Sequence, residues 1–358
     1  METKIKKILI APLDWGLGHA TRCIPLIRMF ILQRKEMVIA SSGDALVLLR
    51  TEFPNLTFLT LPAYDIHYKY DSMALNMAVQ IPKISSIIRK ENIVIQQYVE
   101  NNTIDLIISD NRYGVYHSEI PSVFIGHQLA IQMPKNMQMF AKTALKWHAK
   151  MLKSFNQIWI PDFEGEPNLS GALSHNTRIK KEVFFIGPLS RFEGNEKAKE
   201  HISLLIILSG QEPQRSIFEE IILEQITIDY SKVVLVRGLP NEKRELSVGE
   251  KDIKVYNHLP SKELEVLIAS ASNIVCRSGY SSIMDMAAMK KRVLLVPTPG
   301  QTEQEYLANY LSKSKLVYAT AQNELNLSDD LQRLSKYKAL DMQNNDLEVN
   351  IEQALNRI

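Results

Sequence analysis

Cysteine is scarce in this chain, with only Cys23 and Cys276 among 358 residues. Two thiols so far apart in sequence build neither a disulfide framework nor a cysteine metal centre, and they suit a reducing compartment. Charge of one sign is also lacking. Forty-two Lys and Arg stand against 40 Asp and Glu, a net charge of +2, which argues against nucleic acid as a partner. No apolar run approaches the ~18 residues that a membrane helix needs. Pro12 and Asp14 interrupt the apolar start before a signal-peptide core is complete. A cytoplasmic protein is expected, with any membrane contact peripheral. An Asp-x-Asp pair, a common holder of a divalent ion beside a diphosphate, is absent as well.

What the chain does have is alternation. Short β-rich runs at 5–12, 37–42, 56–62, 104–110, 122–127 and 157–162 are separated by helical patterns near 20–34, 72–101 and 134–155. The alternation restarts with runs at 203–210, 232–238, 253–257, 273–279 and 292–297. Helices are expected near 214–226, 261–270, 280–290 and 303–313. Continuous apolar strands between helices imply parallel sheets covered on both faces. Two doubly wound, Rossmann-like α/β domains are predicted, one over 1–190 and one over 200–345, joined by a charged linker. A terminal helix within 346–358 is expected to pack back on the first domain.

Ligands of such sheets bind beyond the carboxyl ends of the strands, so those ends carry the candidate chemistry. The first strand runs into "DWGLGHATR", where Gly16 and Gly18 allow close backbone approach and His19 opens a helix. A dinucleotide fingerprint would need a third glycine where Thr21 stands, so that reading is weak. A histidine beside a glycine turn can serve as general base near neutral pH. It is as readily an incidental residue of a tight turn. In the second half, "LSGQEPQR" places Gly210 in a turn and Arg215 in a first helical turn, within reach of a phosphate. The segment "CRSGYSSIMD" ends a strand at Arg277, Ser278 and Gly279 and starts a helix with Ser281 and Ser282. Free amides at such a helix start can receive a diphosphate without a metal, although the serines also suit helix capping. Asp285 lies further along that helix, where a carboxylate can accept from ribose hydroxyls. Gln304 and Glu305 follow the next strand, within reach of sugar hydroxyls.

At these residues the chain resembles the family 28 glycosyltransferases. The stretch "CRSGYSSIMDMAA…VLLVP…EQEYLAN" looks like that family's nucleotide-sugar signature, and "GLGHAT" and "FIGPLSR" fit it too. The resemblance implies the GT-B fold, two Rossmann-like domains facing a cleft. It also implies a UDP-sugar held mainly by the second domain as co-substrate, with no cofactor and no metal. Carried over by position, Arg215 matches a diphosphate-binding arginine, and Ser278 and Gly279 match the phosphate loop. Asp285 matches an acidic ribose ligand, and Leu259 lies near the backbone that reads the uracil edge. Gln304 and Glu305 match a Gln-Gln pair facing the donor sugar. Glu305 is a departure from that pair. So is "VFIGHQLA", where Gly126 replaces the histidine of the peptidoglycan-precursor transferase and His127 is shifted by one. A different acceptor is therefore expected.

From Ile120 to Pro161 there is no acidic residue. Lys142, Lys146, Lys150 and Lys153 recur at helical spacing, with Met139, Phe140, Trp147, Met151 and Phe155 around them. Such a face suits either an anionic membrane presenting a lipid-linked acceptor or a solvated lysine stripe over a core helix. The combined expectation is an inverting, metal-independent glycosyltransferase moving a sugar, with N-acetylglucosamine a candidate, to a hydroxyl of a lipid-linked or glycan acceptor. His19 or His127 is the base, and Asp110, at the end of "LIISD", orients the base or acceptor. A UDP-sugar 2-epimerase and a non-catalytic nucleotide-sugar-binding protein are the alternatives.

Overall fold

The structure is a computed structural model. It describes residues 5–64, 73–130, 141–175, 179–196, 198–226, 232–244, 246, 248, 252–340 and 346–358, with 73–79 and 141–142 described as helical backbone only. The chain forms two compact units, residues 1–189 with 344–358, and residues 190–343.

The first unit is built on a seven-stranded sheet. Its strands are β1 (Lys7–Pro12), β2 (Glu36–Ser41), β3 (Thr57–Thr60), β4 (Leu106–Asp110), β5 (Ser122–Ile125), β6 (Gln157–Ile160) and β7 (Glu182–Phe185). Their order is β3-β2-β1-β4-β5-β6-β7 and the pairings are parallel. β4 and β5 are buried at every residue, as strands covered on both faces must be. The covering helices are α1 (Gly18–Leu32), α2 (Gly43–Glu52), α3 (Met73–Asn101) and α4 (Ala141–Leu152). α1 turns Ala20, Cys23, Ile24, Ile27 and Phe30 inward at helical spacing. Full burial of Ile24, Ile27 or Phe30 is worth about 1.5–3 kcal/mol each. The expected helix over 134–155 is seen as α4, while residues 131–140 lie outside the described residues.

The second unit carries β8 (Ile202–Ile207), β9 (Val233–Val236), β10 (Ile253–Tyr256), β11 (Ala271–Cys276), β12 (Leu294–Leu295) and β13 (Tyr318–Ala319). These form a parallel sheet of order β10-β9-β8-β11-β12-β13. Its helices are α5 (Gln214–Gln225), α6 (Ser261–Ser270), α7 (Tyr280–Ala288), α8 (Thr302–Lys313) and α9 (Leu327–Leu334). Its core joins Leu204, Ile206 and Val275 of the sheet to Phe218, Ile222 and Leu331 of the helices.

The last helix, α10 (Leu347–Leu355), returns to the first unit. Asp346 caps it by accepting from the Val349 amide, and buried Gln157 donates to the Ala354 carbonyl at 2.9 Å. In both sheets the strand order reverses beside the first strand, between β1 and β4 and between β8 and β11. Such reversal points leave crevices at the carboxyl ends, and the chemistry-bearing loops identified in the sequence emerge there.

Candidate active site

In the first unit, β1 and β4 lie side by side with Pro12 opposite Asp110. The Leu13 amide donates to the Asp110 carbonyl at 2.9 Å, which fixes where the loop leaves the sheet. Gly16 then takes φ +81°, a conformation that disfavours any side chain, and its amide closes on the Asp14 carbonyl at 3.1 Å. Gly18 begins α1, whose first turn has neither a side-chain cap nor an acidic residue. The turn delivers His19 to Asp110, with Nδ1 2.9 Å from Oδ1.

Asp110 is fully buried and serves several partners. Arg22 donates to it through Nε at 2.6 Å and through a terminal nitrogen, and the Cys23 thiol approaches Oδ2 at 3.4 Å. Burial alone would raise the Asp110 carboxyl, but the Arg22 guanidinium and His19 outweigh it and hold it well below the usual carboxylate range. Burial pulls His19 below its ordinary value, and Asp110 only partly offsets this. The Cys23 thiol is pushed well up by burial and by Asp110, so it stays protonated. His127, on the loop after β5, joins the cluster with Nδ1 3.0 Å from a terminal nitrogen of Arg22. The shifted register "GH" has a steric basis, since a Cβ at Gly126 would lie 2.8 Å from Cε1 of Phe124. The structure thus brings His19, Asp110 and His127 together, around an arginine for which the sequence suggests no role.

Beside this cluster is a second buried network that sequence reasoning does not find. Arg112 donates to Glu91 at 2.5 Å, to Ser42 at 2.7 Å and to the Pro12 carbonyl at 2.8 Å. Ser42 and the Tyr64 amide donate to Asp14, and the Tyr64 hydroxyl donates to Glu91 at 2.9 Å. These bonds tie the exits of β1 to β4 into a rigid floor. The available signal is the charged run "DNR" at the end of β4; its partner Glu91 is far away in sequence.

In the second unit several candidate side chains are held by protein partners. Arg215 does not offer its guanidinium to open space. It donates to Glu212 at 2.6 Å, Glu219 at 2.9 Å and Ser216 at 2.6 Å. Glu219 lies one turn on along α5 and Glu212 just before its start, and Arg237 shares Glu219. Arg277 turns inward too and is fully buried. It holds the carbonyls of Val296, Pro297 and Gln214 and the side chain of Gln322, with its guanidinium carbon 4.0 Å from the centre of the Phe218 ring. Burial pushes its pKa down to about 10. The Ser278 hydroxyl is spent on the Gln304 carbonyl at 2.9 Å. Gln304 itself is buried and braces the loop, accepting from the Thr298 amide at 2.9 Å. Glu305 is exposed and accepts from the Gly300 amide at 2.9 Å.

Other candidates stand at the carboxyl rim of the sheet. Gly210 takes φ +104° after β8, and a Cβ placed on it would find no atom within 4 Å. Gly279 is the cap residue of α7, without a side-chain cap bond and with open space at its Cβ position. Ser281 and Ser282 lie half-buried in the first turn, which has no acidic residue. The cap position itself falls on Gly279, ahead of both serines. Leu259 is buried in the loop between β10 and α6. Asp285 is buried on α7 and accepts from the Ser190 hydroxyl at 2.8 Å, with Arg191 3.5 Å away. Burial raises its carboxyl despite these partners. Among the described residues, no group of three or more His, Cys, Asp and Glu is placed to hold a metal ion.

Comparison with known proteins agrees with this architecture. Residues 212–356 match the glycosyltransferase family 28 C-terminal domain. An uncharacterised glycosyltransferase of Methanosarcina mazei is 23% identical over 339 residues, covering 86% of this chain and 84% of the relative. Among solved structures, the glycotransferase of kitacinnamycin superposes with a TM-score of 0.64 at 14% identity, covering 94% of this chain and 92% of that one. UGT2 of Phytolacca americana, solved with UDP-2-fluoro-glucose and pterostilbene, gives 0.60 at 15% identity, covering 100% and 93%. At such identities the superpositions establish the fold. Residues 212–356 of this glycosyltransferase carry the match to the family 28 C-terminal domain, and the chain has the GT-B fold.

Proposed function

We propose that this glycosyltransferase moves a sugar from a UDP-sugar to an acceptor hydroxyl with inversion, using His19 as general base. The observation that carries this reading is the 2.9 Å contact of His19 Nδ1 with the buried Asp110 carboxylate. A carboxylate accepts only, so the proton belongs on Nδ1 and the lone pair on Nε2. Nε2 takes the acceptor's hydroxyl proton as that oxygen bonds to the anomeric carbon. The bond from that carbon to the β-phosphate oxygen breaks on the opposite side, and UDP leaves with the electron pair. The start of α7 at Gly279, which has no side-chain cap bond and no acidic residue in its first turn, supports a metal-free account of the leaving diphosphate through the positive helix end. Arg215, committed to Glu212 and Glu219, is left out of that role. The UDP-2-fluoro-glucose bound by the Phytolacca americana enzyme supports a UDP-sugar donor by analogy of fold.

The acceptor is proposed to be lipid-linked and presented at an anionic membrane surface. On α4, Leu145, Lys146, Trp147 and Lys150 are exposed, with Lys153 just beyond, while His148 and Leu152 face the core. Phe155, among the apolar residues around the lysines, is buried against Phe124. Met139, Phe140 and the side chain of Lys142 lie outside the described residues. No helix among the described residues is long and apolar enough to cross a membrane.

A thermal-shift panel of nucleotides and UDP-sugars, followed by UDP release assays, tests the reading. UDP and at least one UDP-sugar should stabilise the protein, and that sugar should be turned over slowly to UDP without acceptor. EDTA should leave this turnover unchanged. A sugar epimerised with no UDP released would contradict transfer, and binding without any turnover would contradict catalysis.

A further inference from the structure

Arg22 lies three residues after His19 on α1 and is fully buried. Its Nε donates to Asp110 Oδ2 at 2.6 Å and one terminal nitrogen donates to Oδ1. The other terminal nitrogen stands 3.0 Å from His127 Nδ1. A guanidinium has donors and no acceptor. The nitrogen of His127 that it faces must therefore present a lone pair, which puts that ring's proton on Nε2. His19 is in the opposite situation, because its Nδ1 faces a carboxylate. One buried arginine–aspartate pair thus dictates contrary tautomers in two neighbouring histidines.

We propose that Arg22 is a positioning residue for the transfer reaction, holding His19 in the form with a basic Nε2 and His127 in the form with a protonated Nε2. Through this arrangement His19 is the base, and His127 is a hydrogen-bond donor at Nε2 and does not compete for the acceptor's proton. The proposal rests on the transferase reading above but concerns the ligand-free chain.

Among the described residues, the charged and titratable groups facing His19 are Asp110, Arg22 and His127. Asp110 comes from β4, Arg22 from its own helix and His127 from the loop after β5. Cys23 touches Asp110 as a neutral thiol. Within this set the Arg22 charge opposes protonation of His19 while Asp110 favours it. Removing the guanidinium takes away one opposing charge while burial and His127 remain, so His19 should bind its proton at higher pH than in the parent.

Nitrogen NMR of the full chain with ¹⁵N-labelled histidine tests this, with signals assigned through His19→Gln and His127→Gln. In the parent at neutral pH, His19 should carry its proton on Nδ1 and His127 on Nε2. In Arg22→Met the His127 preference should be lost and the His19 titration should move to higher pH. Arg22→Lys keeps a charge without the fork, and should lose the His127 preference while leaving the His19 titration lower than in Arg22→Met. A parent in which both rings share one tautomer overturns the proposal, even if Arg22→Met fails to fold. So does a folded Arg22→Met or Arg22→Lys with His127 unchanged. No substrate enters the measurement, so absence of UDP release would sink the transferase reading and leave this result standing on its own.

Discussion

His19 Nδ1 meets Asp110 Oδ1 at 2.9 Å, although the two residues are 91 positions apart in the chain. The pairing exists because β1 and β4 are neighbours where the strand order reverses, so the first turn of α1 opens over the end of β4. The carboxylate stays ionised there because Arg22 lies against it.

That ion pair should also be visible in stability. Asp110→Asn leaves the Arg22 charge buried without its counter-ion, at a cost of about 3–5 kcal/mol. The Asp110 pKa is lower in the folded state than its ordinary 3.8. Its contribution is therefore complete above that value and declines as pH falls from there. Urea unfolding of parent and variant should show a gap that is widest near neutral pH and narrows in acid. Equal midpoints at pH 7 would mean the pair contributes nothing.

On the donor side, Asp285 already holds a hydroxyl, that of Ser190 at 2.8 Å, in the way it would hold a ribose hydroxyl. Asp285→Ala should weaken UDP binding by about 1–3 kcal/mol, the range for losing a charged hydrogen-bond partner. Ser190→Ala should leave UDP affinity equal or tighter, since it removes a competitor for the same oxygen, although it also takes away the acceptor of the Phe192 amide. Calorimetry with UDP decides this. Parent-like affinity in Asp285→Ala would remove Asp285 from the donor site.

Gly238 and Gly210 both have positive φ, yet they differ in surroundings. A Cβ at Gly238 would lie 2.5 Å from the Leu208 carbonyl oxygen, whereas nothing lies within 4 Å of one at Gly210. Gly238→Ala should therefore combine backbone strain with overpacking and cost about 1–3 kcal/mol or more, exceeding the cost of Gly210→Ala. Thermal unfolding of the two variants ranks them. An undiminished transition in Gly238→Ala would contradict the close packing of the β8 exit.

Much of the fold is legible in the sequence because buried parallel strands are continuous apolar runs and the helices between them carry a 3.6-residue repeat. Short elements escape. β13 has two residues and is held by its pairing with β12, so it leaves no pattern. α2 is hidden although Ser42 precedes it and Asp44 opens it, because "ASSGD" also reads as a loop. Within the site, strand ends draw attention to His19, Asp110 and His127, and local sequence can place each of them. What each side chain faces depends on long-range partners. Arg215 and Arg277 look like ligands for phosphate, but Glu219 and a ring of backbone carbonyls claim them. Arg22 looks like an ordinary helix residue until Asp110 and His127 are seen around it.

The most direct test is UDP release from a panel of UDP-sugars by the parent and by His19→Ala, with UDP affinity measured in parallel. Loss of a general base should lower turnover by about 10²- to 10⁴-fold and leave UDP affinity nearly unchanged. The parent's rate should fall in acid as His19, depressed below its ordinary value of 6.5 by burial, takes up its proton, and that limb should vanish in the variant. Full turnover in His19→Ala, with the same acid limb as the parent, would contradict the account.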